Sequence, residues 1–153
     1  MECQLVTQKL KPDSKEEILH ELASSLEHIK VVKPSFYQAI LERERVFPTG
    51  LPSEPFGIAI PHTDTEHVYT PAIAVGFLEE PIDFTVMGTE DIQIPVHIVF
   101  MLAMKEPNDQ LSLLENMINL IQDSVFLEQL SEMNQSRKDT ELKELLNKQL
   151  LTV

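Results

Sequence analysis

Cysteine is almost absent from this chain. Only Cys3 occurs among 153 residues, so no internal disulfide can form, and a reducing cytoplasm is the simplest setting. Basic residues are scarce too: 12 Lys and Arg stand against 25 Asp and Glu, a formal charge of -13. Nucleic-acid binding is excluded with them, because a phosphate backbone needs clustered cations. No apolar run approaches the ~20 residues that span a bilayer, and MECQLVTQKLKPDSKEE does not read as a signal peptide, so no direct membrane insertion is expected. A glycine-rich phosphate loop is missing as well, which removes one large class of nucleotide enzymes.

What is present reads as one ordinary folded domain over residues 1–153. Apolar residues make up 42% and charged residues 24%, and a chain of this length buries roughly 68–70% of its unfolded surface. The acidic balance suits transient docking with partners that carry positive patches, and equally serves solubility.

Helical periodicity opens the pattern. Ser14 with Glu17 forms a capping box, and Ile18, Leu22, Leu26 and Ile29 share one face. Ser35 with Gln38 offers a second box ahead of Phe36, Ala39 and Ile40, in a helix ending near Arg45. Phe47 to Pro55 is a Pro- and Gly-punctuated loop. Strand signals follow at Gly57–Ile60, Ala72–Leu78 and Ile92–Met104, with a short one at Ile82–Thr85. The Ala72 and Ile92 runs are continuous rather than alternating, as in strands covered on both faces, and Pro95 predicts an edge position or a bulge. After residue 109 the period turns helical again. Leu111, Leu114, Met117, Ile118 and Ile121 fall on one face, widened by Leu113 and Leu120. Asp123 or Ser124 starts a short helix with Phe126, Leu127 and Leu130, and Asp139 starts a last one with Leu142, Leu145 and Leu146 inward. Helices first, strands in the middle and helices last predict an α/β fold: one central mixed β-sheet flanked by helices on both faces.

The stretch GIAIPHTDTEH, Gly57 to His67, carries the chemistry. A short apolar strand runs into Pro61, which cannot donate to a ladder, and stops at His62. A neutral imidazole on rigid backbone at a sheet rim is a nucleophile; the alternative is a plain loop histidine. Arg43 falls in the last turn of its helix, where the dipole alone favours a cation. His67 shares a loop with Asp64 and Glu66, but this is no recognised zinc spacing, and no metal site is expected; lining the pocket is its expected role. His97, inside PVHIVFM, is either a satisfied strand residue or, if it emerges beside His62, a group that orients that ring.

The paired motif RERVFPTG and GIAIPH, residues 43–50 and 57–62, resembles the active-site region of the enzyme IIA proteins of the bacterial sugar phosphotransferase system, of the fructose–mannitol type and the galactitol-like branch. The resemblance covers nearly the whole chain. It implies that His62 accepts a phosphoryl group on Nε2 from phospho-HPr and passes it to a cysteine of a IIB component, with no cofactor. It implies that Arg43, from the Arg-Glu element, stabilises the transferred charge by forking two phosphoryl oxygens, with Arg45 solvated. The required tautomer protonates Nδ1, so a carbonyl or carboxylate should accept from it. Mannitol-type members carry a second active-site histidine before the long helix that follows the last strand; here Gln110 stands at that place, an amide that can donate but not titrate. Both partners must use one patch around His62, and Phe47, Leu51 and Phe56 are expected at its apolar rim, unless Phe56 packs inward. A regulatory relative of the nitrogen-signalling type is the alternative reading, and a metal hydrolase on His62, His67 and Asp64 a third. The absence of a DNA-binding helix argues against a sensor domain fused to a transcription regulator.

Overall fold

In the computed structural model, which describes residues 3–151, the chain runs β1 (Gln4–Leu10), α1 (Lys15–His28), α2 (Phe36–Val46), β2 (Gly50–Leu51), β3 (Gly57–Ala59), one 3-10 turn (Thr65–His67), β4 (Ala72–Thr85), β5 (Gln93–Ala103), α3 (Pro107–Leu120), α4 (Ser124–Gln135), α5 (Asp139–Leu146) and a closing π-turn (Asn147–Leu151). The strands form one mixed sheet in the order β1-β4-β5-β3-β2. β1 pairs parallel to β4 and β3 parallel to β5, while β4–β5 and β2–β3 are antiparallel.

The two continuous apolar runs become the interior strands, and the sheet splits them between two cores. Ala72 and Ala74 of β4, with Val99, Met101 and Ala103 of β5, pack under α1 and α2 against Leu22, Leu26, Phe36 and Ile40. Ile73, Val75, Phe77, Ile98, Phe100 and Leu102 pack on the opposite face against Leu113, Met117, Leu127, Leu130 and Leu142. Adjacent residues on a strand point to opposite faces, so a strand buried on both sides must be apolar at every position. Each buried Val, Leu, Ile, Phe or Met side chain contributes about 1.5–3 kcal/mol, and the layer arrangement is the expected one.

The strand β1 was not expected from the sequence. It lies at the sheet edge, is largely half-buried, and mixes Gln4, Thr7, Gln8 and Lys9 with its apolar residues. An edge strand with partial cover does not need the apolar density that marks an interior one. Nor is Ile82–Thr85 a separate strand: it is the end of β4, reached through an irregularity between Phe77 and Ile82.

The Ser14 cap forms as predicted, accepting from the Glu17 N–H at 3.2 Å, while Glu17 reaches back to the Asp13 N–H at 3.0 Å. The second box does not form. Ser35 has helical backbone, makes no cap bond, and its hydroxyl meets His67 Nδ1 at 2.8 Å, while Gln38 bonds Glu42. Three residues placed on buried faces are also on the surface: Ile29, the terminal cap of α1, and Leu111 and Ile118 of α3. The face of α3 that is buried runs through Leu113 and Met117 and continues to Ile121, a stripe rotated from the one expected.

Pro95 does not mark an edge strand, because β5 is flanked by β4 and β3. It pairs only with Asp83 of β4; the pairing with β3 begins one residue later, at Gly57 and Val96, so Pro95 sits where β5 is still open on that side. The irregularity comes next. Gly57 pairs with Val96 but Ile58 with Ile98, leaving His97 as the extra residue. Val96 and Ile98, two apart, therefore point into opposite cores, the reversal of alternation that one inserted residue produces.

Candidate active site

The site begins where β3 ends. Pro61 has no N–H to donate, but its carbonyl accepts from the Leu102 N–H at 3.0 Å, so the chain stays tied to β5 for one more residue. His62 follows, half-buried. Its Nδ1 lies 2.7 Å from the Ile60 carbonyl oxygen. A carbonyl can only accept, so this bond puts the ring proton on Nδ1 and leaves the lone pair on Nε2. Burial pushes the His62 pKa below 6.5, the Ile60 bond opposes that shift, and the Arg43 charge adds to it. The imidazole is therefore neutral at pH 7.

Arg43 is held in the last turn of α2. Its guanidinium stacks over the Phe47 ring at 4.6 Å and stands 3.6 Å from Asp64 Oδ1, while its Nε is buried without a hydrogen-bond partner. Most of its donor capacity is uncommitted, and the ion pair with the exposed Asp64 is a weak hold. Arg45, two residues on, is exposed.

The next residue of that helix, Glu44, points the other way. It is 4% exposed, and its carboxylate accepts from the Thr49 N–H at 3.0 Å and from the Thr49 hydroxyl at 2.9 Å. The same hydroxyl oxygen accepts from the Ile60 N–H at 3.2 Å, and the Thr49 carbonyl shares that donor at 3.3 Å. Desolvation raises the Glu44 pKa from 4.5 to about 7, against the bonds from Thr49 and the charge of Lys15. Gly50 lets this segment approach the sheet, since a Cβ there would lie 2.6 Å from the Thr85 carbonyl oxygen. Neither Glu44 nor Thr49 was given a role from the sequence. Both stand inside the motif RERVFPTG, which marked them by position alone, Glu44 beside Arg43 and Thr49 between Pro48 and Gly50.

The remaining residues singled out from the sequence are dispersed. His67 is tied elsewhere: Nδ1 to the Ser35 hydroxyl at 2.8 Å, Nε2 facing Glu66 at 3.7 Å, and its carbonyl accepting from Lys33 at 2.8 Å. It clasps the start of α2 to the turn after His62. Gln110 lies in the first turn of α3, at the sheet end where β5 leads out past Leu102, and its Oε1 is buried without a partner. His97 is far from His62. It sits level with Gly57 and Ile58, five residues before Leu102 on β5, or roughly 16 Å along the strand. There it packs on Phe56 with ring centroids 5.0 Å apart, its Nδ1 buried without a partner, and desolvation lowers its pKa. The role of orienting the His62 ring falls to the Ile60 carbonyl instead.

Of the three expected rim residues only Phe47 is strongly exposed, at 59%. Leu51 and Phe56 pack against the core under α3–α5. Among the described residues no three His, Cys, Asp or Glu side chains gather as a group that could hold a metal ion, so His62, His67 and Asp64 do not converge. No helix among them is long and apolar enough to cross a membrane.

Residues 1–149 match the family model described as the phosphoenolpyruvate-dependent sugar phosphotransferase system, EIIA 2. The chain is 30% identical over 135 residues to the galactitol-specific EIIA component of the PTS system of Escherichia coli K12, covering 88% of this chain and 87% of that one. Two solved structures from Escherichia coli share its fold. The crystal structure of mannitol IIA superposes with a TM-score of 0.65 at 23% identity, over 83% of this chain and 86% of that one. Enzyme IIA of the mannitol system, solved by NMR in complex with phosphorylated enzyme IIB, gives 0.64 at 22%, over 82% and 83%.

Proposed function

The chain belongs to the EIIA 2 family of the phosphoenolpyruvate-dependent sugar phosphotransferase system, a family of phosphotransferases, and from this premise we propose that it is a phosphocarrier whose acceptor atom is Nε2 of His62. One observation carries the reading. The Ile60 carbonyl claims the Nδ1 proton, leaving a neutral nucleophilic nitrogen within the field of Arg43.

The donor is phospho-HPr. The Nε2 lone pair attacks phosphorus, a P–N bond forms on His62, and the donor's P–N bond breaks with its electron pair staying on the donor. In the second half-reaction the thiolate of a IIB cysteine attacks the same phosphorus, and the pair of the breaking P–N bond returns to Nε2. No proton has to move at Nε2 in either direction, which suits a carrier that must run reversibly. Phosphoryl transfer through a loose transition state asks mainly for positioning and charge stabilisation. Arg43 supplies the charge: its guanidinium leaves Asp64 and forks two phosphoryl oxygens. The complex of enzyme IIA with phosphorylated enzyme IIB in the mannitol system supports a IIB partner for this fold. The relative at 30% identity supports a galactitol-type permease as the destination. A cytoplasmic location follows from that assignment.

The test is incubation with phosphoenolpyruvate, enzyme I and HPr, followed by intact mass. We expect one phosphoryl group on the wild type and none on His62→Ala, which keeps its fold because the side chain is half exposed. Phosphate retained by the variant, on His67 or His97, would remove His62 from the mechanism.

A further inference from the structure

We propose that Glu44 and Thr49 are positioning residues for His62, forming a buried pin that sets which ring nitrogen is the acceptor. The inference rests on the reading of Nε2 as the phosphoryl acceptor. The chain of contacts is short and entirely internal. The Glu44 carboxylate accepts from both the N–H and the hydroxyl of Thr49, at 3.0 and 2.9 Å. The Thr49 hydroxyl oxygen, oriented by that donation, accepts from the Ile60 N–H at 3.2 Å. The carbonyl of the same residue, Ile60, accepts from His62 Nδ1 at 2.7 Å.

The argument for a role beyond stability is physical. A buried carboxylate is costly, and Glu44 has no cation within ion-pair distance among the described residues; its partners are two donors from one threonine. Its acid is pushed up to about 7 in consequence. A polar group kept where an apolar one would pack more favourably is expected where geometry matters more than stability. The geometry at stake is that of Ile60, one residue past β3: Pro61 ties the chain to β5 on one side, and the neighbour on the other is the two-residue strand β2. Two ladder pairs, Gly50 with Ala59 and Leu51 with Ile58, hold β2 to β3, and Thr49 extends this pairing to Ile60. Held on that side by so short a strand alone, the Ile60 peptide would rock, and the His62 ring with it. Neighbouring positions on α2 thus serve the site in two ways, Arg43 outward toward the site and Glu44 inward to fix the backbone.

The experiment reads the His62 tautomer directly, by long-range proton–nitrogen correlation of the imidazole, alongside the rate of phosphoryl acceptance. In the wild type the Nδ1–H form should dominate; a dominant Nε2–H form overturns the pin without any variant. Thr49→Val and Glu44→Gln should let the Nε2–H form appear and slow acceptance roughly tenfold, the scale of one hydrogen bond's net contribution. Thr49→Ser, which keeps the hydroxyl, should restore both. Unchanged tautomer and rate in Glu44→Gln and Thr49→Val overturn the proposal. So does a slowed rate with an unmoved tautomer, which would make the pair merely structural. If Thr49→Val does not fold, the wild-type tautomer and Glu44→Gln decide. If the wild type takes up no phosphate, the carrier reading fails, while the tautomer measurement still judges the pin.

Discussion

His62 donates from Nδ1 to the carbonyl of Ile60, 2.7 Å away and only two residues earlier. The residue between them is Pro61, whose ring restricts φ to about -65°, so stiff backbone closes the contact, and the Thr49 hydroxyl holds the Ile60 end of it. This is why the acceptor nitrogen can be ready before any partner arrives. A ring that must first find its tautomer would lower the rate by the fraction of time spent in the wrong one.

The first consequence is a pH profile. Burial and the Arg43 charge lower the His62 pKa from 6.5, so the ring is neutral at pH 7. Protonation would fill the Nε2 lone pair, and acceptance should therefore decline only when the pH falls below 6.5. An NMR titration of the His62 ring between about pH 5 and 8, with acceptance rates from preformed phospho-HPr, checks this. A midpoint above 6.5 would mean that a neighbouring anion outweighs burial.

Arg43→Lys should separate charge from geometry. The substitution keeps one positive charge but loses the planar fork and the stacking on Phe47 at 4.6 Å. We expect slower transfer by about 1–3 kcal/mol of barrier, the range for charge-assisted hydrogen bonds. The melting temperature should hardly move, because the Asp64 partner is 69% exposed and such pairs contribute little. A transfer rate equal to wild type would return Arg43 to the role of a helix-terminal cation.

Glu44 gives a stability prediction with a definite sign. Its folded pKa, about 7, lies above the ordinary 4.5, so the native state holds this proton more tightly than the unfolded chain. The cost of ionising it is absent below 4.5, grows as pH rises, and is complete above about 7. With each pH unit of difference worth ~1.4 kcal/mol, the whole effect is roughly 3 kcal/mol. Chemical denaturation of wild type and Glu44→Gln across this window should show the wild type losing stability with rising pH relative to the variant. Parallel curves would mean that Glu44 stays ionised throughout.

The layers of the fold were legible because their signal is repetitive. Ala72–Leu78 and the run through Ile98–Met104 are apolar at nearly every position, and that suffices to predict strands covered on both faces. What was not legible depended on single contacts. β1 needs few apolar residues because it is an edge, and Leu111 and Ile118 match the period of α3 while lying outside its buried stripe. Within the site, His62 was marked by the strand stop at Pro61, and Arg43 by its position in the motif. The link from Glu44 to Thr49 joins a helix to a loop, and Thr49 to Ile60 joins that loop to a strand end; neither leaves a period in the sequence. The displacement of His97 from the site follows from the parallel register of β3 on β5, which no local pattern contains.

That register also decides where partners should dock. In the proposed carrier, HPr and IIB each bring a reacting group to the same nitrogen, so they need one overlapping patch at the His62 end of the sheet, of modest size so that exchange stays fast. Leu51 and Phe56 are partly buried against the core, whereas Val46 and Phe47, directly after the Arg43 turn, are 68% and 59% exposed. Leu111, beside Gln110 near the start of α3, is 57% exposed and is the candidate from that helix. Val46→Asp and Leu111→Asp should slow transfer from phospho-HPr without lowering the melting temperature. Val125→Asp is the control: it is 59% exposed, but opens α4, beyond the whole length of α3 from Gln110. Rising salt should slow the wild type too, because a chain of charge -13 gains encounter rate from attraction to a positive partner. If Val125→Asp slows transfer as much as the other two, the docking patch is not at the His62 end, and an acceptor on that rim would have to be reached from another direction.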